Sequence, residues 1–89
     1  MADEKRIRSK ILEIAERRKN VTLDEIEWVV NQLGQFHTIN RRDARHGILF
    51  RVGDQRFMVN RHSPGSKQVK SYSVDDFIDA LSELGWYED

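Results

Sequence analysis

The stretch from Ile48 to Val59 constrains this chain more than any other. Ile48, Phe50 and Val52 alternate with smaller or polar residues, Gly53-Asp54 follows, and Phe57 and Val59 resume the alternation. A two-residue turn flanked by period-two hydrophobicity predicts an antiparallel hairpin. With no bulge, Val52 opposes Gln55, Phe50 opposes Phe57, Ile48 opposes Val59, and His46 opposes Arg61. Every apolar pair then falls on one face, so the register agrees with the hydrophobic pattern. Arg51 opposes Arg56 on the other face, where two like charges need solvent or an anion to screen them. The predicted sheet therefore has a core side and a cationic side, with His46 and Arg61 at the end far from the turn.

The remainder of the chain must cover that core side. The 89 residues suffice for one small domain, residues 1–89, with a single core. No cysteine is present, which excludes disulfide staples and cysteine zinc sites and fits a reducing compartment. The amino-terminal residues are charged where a signal peptide would be apolar, and no run approaches membrane-spanning length, so a cytoplasmic protein is expected. The net charge is zero, yet the charges are segregated: residues 35–72 carry eight Lys or Arg against two acids, while residues 73–89 carry six acids and no base. Such a chain can present a phosphate-binding face, or its two blocks can pair with each other.

In order along the chain, Ile7, Ile11, Ile14 and Ala15 recur at helical spacing in residues 5–18, a thin stripe that predicts a lightly docked first helix. Thr22-Leu23-Asp24-Glu25 is a capping box opening a helix over residues 23–33, with Leu23, Ile26, Val30 and Leu33 on one face and Gly34 as a left-handed stop. Residues 35–40 read as a first strand and residues 41–45 as the bend into the hairpin. Ser63-Pro64-Gly65-Ser66 ends the third strand, and residues 67–72 form a basic, partly extended linker. Ser73 repeats the capping logic before a last helix carrying Val74, Phe77, Ile78, Leu81 and Leu84, which Gly85 stops. Trp86 and Tyr87 are expected to fold back over the core edge. The order α-α-β-β-β-α predicts an α+β fold of two layers: a three-stranded antiparallel sheet packed against helices, its other face exposed.

The candidate chemistry is sparse. His46 is the histidine with the strongest claim, since it sits among the guanidinium groups of Arg45 and Arg61, able to hold a phosphate beside a group that titrates near neutrality. The competing reading is an ordinary strand-end histidine. His37 and His62 have no acidic or cysteine neighbours at ligand spacing and read as structural or surface residues, so no metal is predicted. The serines occupy turn and cap positions, and the glycines are too scattered for a phosphate loop. Asp75, Asp76, Asp79 and Glu83 make an acidic stripe on the last helix, a solvated face or a dock for a basic partner.

Over residues 20–85 the chain resembles the HicA family, small bacterial toxins of toxin-antitoxin pairs. Lys19-Asn20-Val21 stands where closer members carry Arg-Asn-Val before a helix ending in Leu-Gly, here Leu33-Gly34. Ala44-Arg45-His46 takes the place of the Gly-Ser-His or Gly-Gly-His that starts their second strand, followed here by Ile48, Phe50 and Arg51. Gly65-Ser66-Lys67 matches a Gly-x-Lys turn, Lys70-Ser71-Tyr72-Ser73-Val74 matches a Lys-Pro-Tyr-x-Val segment, and the last helix ends in Leu84-Gly85. Three departures stand out: Ala44-Arg45 replaces the Gly-Ser, Gly47 replaces a second histidine often found there, and one extra residue lies between Gly47 and Phe50 relative to the family spacing. Residues 1–19 are an additional amino-terminal helix.

The resemblance implies a fold like the double-stranded RNA-binding domain and a metal-independent endoribonuclease that cleaves messenger RNA, with no cofactor. The essential histidine would be His46. It implies a HicB-like antitoxin as protein partner. Arg45, Arg61 and Lys67, with Arg51 and Arg56 on the strands, are the candidates for holding RNA phosphates. The alternative is a non-catalytic module of the same fold that binds RNA or another protein.

Overall fold

The computed structural model describes residues 2–45, 47–63 and 65–88. Three helices, α1 (Glu4–Arg17), α2 (Leu23–Leu33) and α3 (Ser71–Glu83), accompany three strands, β1 (Ile39–Asp43), β2 (Gly47–Val52) and β3 (Gln55–Asn60). The strands form one antiparallel sheet in the order β1-β2-β3, and the fold is α+β with the order α-α-β-β-β-α.

The hairpin has the expected register, with Val52 opposite Gln55, Phe50 opposite Phe57, Ile48 opposite Val59 and Arg51 opposite Arg56. Gly53 adopts φ 60°, the sign that the first residue of a type II′ turn requires. The Phe50 and Phe57 rings stack at 5.5 Å, and Phe77 of α3 meets Phe57 edge-on at 5.4 Å, so the sheet and α3 share an aromatic centre. Leu49 and Met58, on the opposite face, remain partly exposed. Among the described residues no helix is long and apolar enough to cross a membrane.

Four local expectations need correction. The first strand lies later than residues 35–40: the N–H groups of Gly34, Phe36 and His37 still bond back to the end of α2, so the chain is committed to a helical exit until residue 37. Arg41, Arg42 and Asp43, expected in a bend, form β1 with Asn40 and Ile39; an edge strand tolerates their charges. Arg41 lies 5.7 Å from the Phe50 ring centroid and binds Glu27 at 3.2 Å. Gly34 is right-handed, with φ −58°, whereas Gly85 takes the left-handed φ of 84°. Helix α3 begins at Ser71, two residues before the expected cap, because Ser73 is buried and its Oγ accepts the Asn60 N–H at 2.9 Å.

Helix α1 is also better anchored than its thin stripe suggested. Ile7, Ile11 and Ile14 are wholly buried. Glu25 ties α1 to α2: its carboxylate accepts the Thr22 N–H at 2.9 Å, completing the capping box, and also bonds Lys10 at 3.2 Å and Arg17. Partial burial pushes this carboxyl up, but the hydrogen bonds from Arg17, the Thr22 backbone and Lys10 outweigh it and lower it from 4.5 to about 2. A depressed folded value means stabilisation that is complete above pH 4.5 and lost as pH falls toward 2. Glu25→Gln keeps the cap and removes the charge. Urea denaturation at pH 7 should show it less stable by about 2 kcal/mol after allowance for solvent screening, a difference that shrinks below pH 4.5 and is nearly gone at pH 2.

Candidate nucleic-acid interface

The site is assembled by residues 67–70, which run between the start of α2 and the end of β3. Leu23 N–H donates to the Lys67 carbonyl at 2.8 Å, and Val69 N–H donates to the Val21 carbonyl at 3.0 Å. On the other side His62 N–H donates to the Gln68 carbonyl at 2.8 Å, and Lys70 N–H donates to the Asn60 carbonyl at 2.9 Å. Val21 and, within the strap, Val69 are buried. The polar residues around them face outward, so segments distant in sequence deliver their cations to one place.

That place is an open groove of about 610 Å³ at the end of the sheet far from the hairpin turn. It is lined by Arg45, Asn60, Arg61, His62, Lys70 and Tyr72, among others. A second groove of about 590 Å³ shares His62, Lys70 and Tyr72 and continues toward Arg18, Lys19 and Asn20. Arg18 is committed to Asp75 of α3 at 2.7 Å, and that hydrogen bond raises its affinity for the proton. Among the described residues no carboxylate lies within ion-pair distance of Arg45, Arg61, Lys19 or Lys70. Unneutralised cations in a concave surface focus a positive potential suited to phosphates.

Tyr72 stands where the two grooves meet and is half exposed. Its hydroxyl accepts a hydrogen bond from Asn60 Nδ2 at 3.0 Å, and Lys70 Nζ lies 5.7 Å from its ring centroid. A side chain held at its polar end leaves its ring as a flat apolar surface among cations. No side chain caps α3 at Lys70, so the first N–H groups of that helix add their partial positive charge beside the same ring.

Of the residues predicted for the site, Arg45 and Arg61 line the groove. His46 lies outside the described residues, as do Met1, Pro64 and Asp89. On either side of it, Arg45 lines the groove and Gly47 pairs with Asn60, which lines it too. Lys67 is exposed and joins the strap through its carbonyl, but its side chain is not among those lining the groove. Arg51 and Arg56 oppose each other near the hairpin turn, apart from Arg45 and Arg61, and Arg51 Nε donates to the Gly53 carbonyl at 3.1 Å.

Sequence reasoning missed His62, Lys70, Tyr72 and Asn60. The available signal is the Lys70-Ser71-Tyr72 segment, a cation and an aromatic ring two residues apart. His37 is structural as expected: its Nε2 accepts the Trp86 indole N–H at 2.9 Å, which fixes the fold-back of the chain end. Compared with known proteins, the chain matches no family model, no curated protein and no solved structure.

Proposed function

We propose that the protein is a HicA-like toxin that binds messenger RNA and cleaves it with a histidine and no metal. The observation that supports this reading is the groove in which Arg45, Arg61, His62 and Lys70 gather around Tyr72 with no carboxylate in ion-pair distance among the described residues. RNA would be held chiefly through its phosphates, by Arg45, Arg61 and Lys70, with shape and stacking adding the rest. His46, between Arg45 and Gly47 in the chain, would take the proton from a ribose 2′-hydroxyl as that oxygen attacks the adjacent phosphorus. The guanidinium groups would stabilise the charge that grows on the phosphate oxygens; the bond from phosphorus to the 5′-oxygen of the next nucleotide would break, leaving a 2′,3′-cyclic phosphate and a 5′-hydroxyl that takes its proton from water. A HicB-like antitoxin would be the protein partner, and the cytoplasm the compartment, where messenger RNA is found.

The test is RNA integrity after incubation with the purified protein in excess chelator, comparing wild type with His46→Ala and His62→Ala, with circular dichroism confirming folding. Cleavage by wild type and by His62→Ala, but not by His46→Ala, is the expected result. Cleavage lost only in His62→Ala would move the catalytic role to that residue. Intact RNA throughout, with salt-dependent RNA binding retained, would leave a binding module; no RNA binding at all would overturn the reading.

A further inference from the structure

The outer edge of β3 is open at two of its three outward-facing residues. Val52 and Gln55 close the two-residue hairpin as a hydrogen-bonded pair, so Phe57 and Val59 also bond to β2, and the N–H and C=O groups of Arg56, Met58 and Asn60 turn outward. Asn60 is already met: its N–H donates to Ser73 Oγ and its carbonyl accepts from Lys70, each at 2.9 Å. Among the described residues no group of the chain meets the outward backbone of Arg56 or Met58. Along this edge runs an open groove of about 490 Å³, with Leu49, Phe57 and Met58 on the sheet side and Asp76, Asp79 and Glu83 of α3 on the other. None of these carboxylates has an ion-pair partner among the described residues, although Asp75 beside them has Arg18.

The charges select the occupant. A second copy docking by the same edge would bring two acidic helix faces together, and RNA phosphates would be repelled by three carboxylates facing the one guanidinium of Arg56. The β1 edge differs, since Arg41 there is already held by Glu27 and Asp43. We infer that the β3 edge beside α3 is a docking site for an extended segment of another protein, with alternating basic and apolar side chains, added as a fourth strand. Its main chain would bond to Arg56 and Met58. Its basic side chains would reach Asp76, Asp79 and Glu83 on one face, and its apolar ones would lie beside Met58 and Leu49 on the other. This surface is separate from the cationic groove and does not depend on RNA binding.

The test is titration of the ¹⁵N-labelled protein with a blocked Lys-Val-Lys-Val-Lys peptide, with a Glu-Val-Glu-Val-Glu peptide as control. The lysine peptide should shift the amides of Arg56 and Met58 and slow their hydrogen exchange, while the glutamate peptide does neither. Asp76→Lys with Asp79→Lys, both exposed, should weaken binding by about tenfold or more. Met58→Pro removes one outward N–H at an edge that tolerates proline, and should abolish binding with the circular dichroism spectrum kept. The inference is overturned if the shifts fall elsewhere, if both peptides bind alike, or if the lysine substitutions leave affinity unchanged. Dimerisation that protects the same amides without peptide would also overturn it, assigning the edge to a second copy.

Discussion

Replacing Gly47 with alanine is expected to destabilise the protein by about 3 kcal/mol or more, lowering its melting temperature by more than about 12 °C. The cause is steric. A Cβ built on Gly47 would overlap the Val59 carbonyl oxygen and lie 2.9 Å from both Cα and Oδ1 of Asn60. The obstacle is mostly backbone of the neighbouring strand, so no rotamer change relieves it. Either β2 and β3 separate at this end or the Gly47–Asn60 pairing slips. Both outcomes move Asn60, whose amide holds the Tyr72 hydroxyl and whose backbone holds Lys70 and Ser73. RNA binding should therefore fall along with stability. Thermal unfolding followed by circular dichroism checks the first part; an unchanged melting temperature would mean that the strands are not packed this closely. Gly47 is therefore a requirement of strand packing.

The second large effect concerns affinity. Arg61→Ala combined with Lys70→Ala should weaken binding to single-stranded RNA by one to two orders of magnitude at low salt. Neither side chain has a carboxylate partner among the described residues, so their removal breaks no internal ion pair. If each releases a counterion on meeting a phosphate, the dependence of log affinity on log salt should flatten by about 1.4, or about 0.7 per contact. Binding isotherms across a salt series read both quantities. Arg51→Ala with Arg56→Ala, at the other end of the hairpin, should have the smaller effect on binding in the sheet-end groove. Equal losses from the two pairs would spread the RNA over the whole cationic face of the sheet.

How much of this was legible in the sequence divides along physical lines. The hairpin register, the capping box at Thr22 and Glu25, and the fold-back of Trp86 are local or periodic, and pattern alone carried them. The start of β1 was not, because residues 34–37 continue the hydrogen bonding of α2 and because charged Arg41 and Arg42 occur on an edge strand, where propensity says little. The α3 start was misplaced by a buried Ser73 that serves β3 and not its own helix. For the site, the hairpin register set His46, and with it the adjacent Arg45, across from Arg61, but gave no place there to His62, Lys70 and Tyr72. Their convergence needs the strap to return alongside Arg61 and Thr22, a tertiary event without a local signature.

That strap has a kinetic consequence. The groove draws on residues 45, 60–62 and 70–72, and its continuation on 18–20, so its cations converge only after contacts spanning about half the chain have closed. Loops of that length are closed late and at an entropic cost, after hairpin and helices can already exist. A nascent or partly folded chain would therefore carry the same charges without their focus, and the concentrated positive potential of the groove would be acquired as the last contacts form.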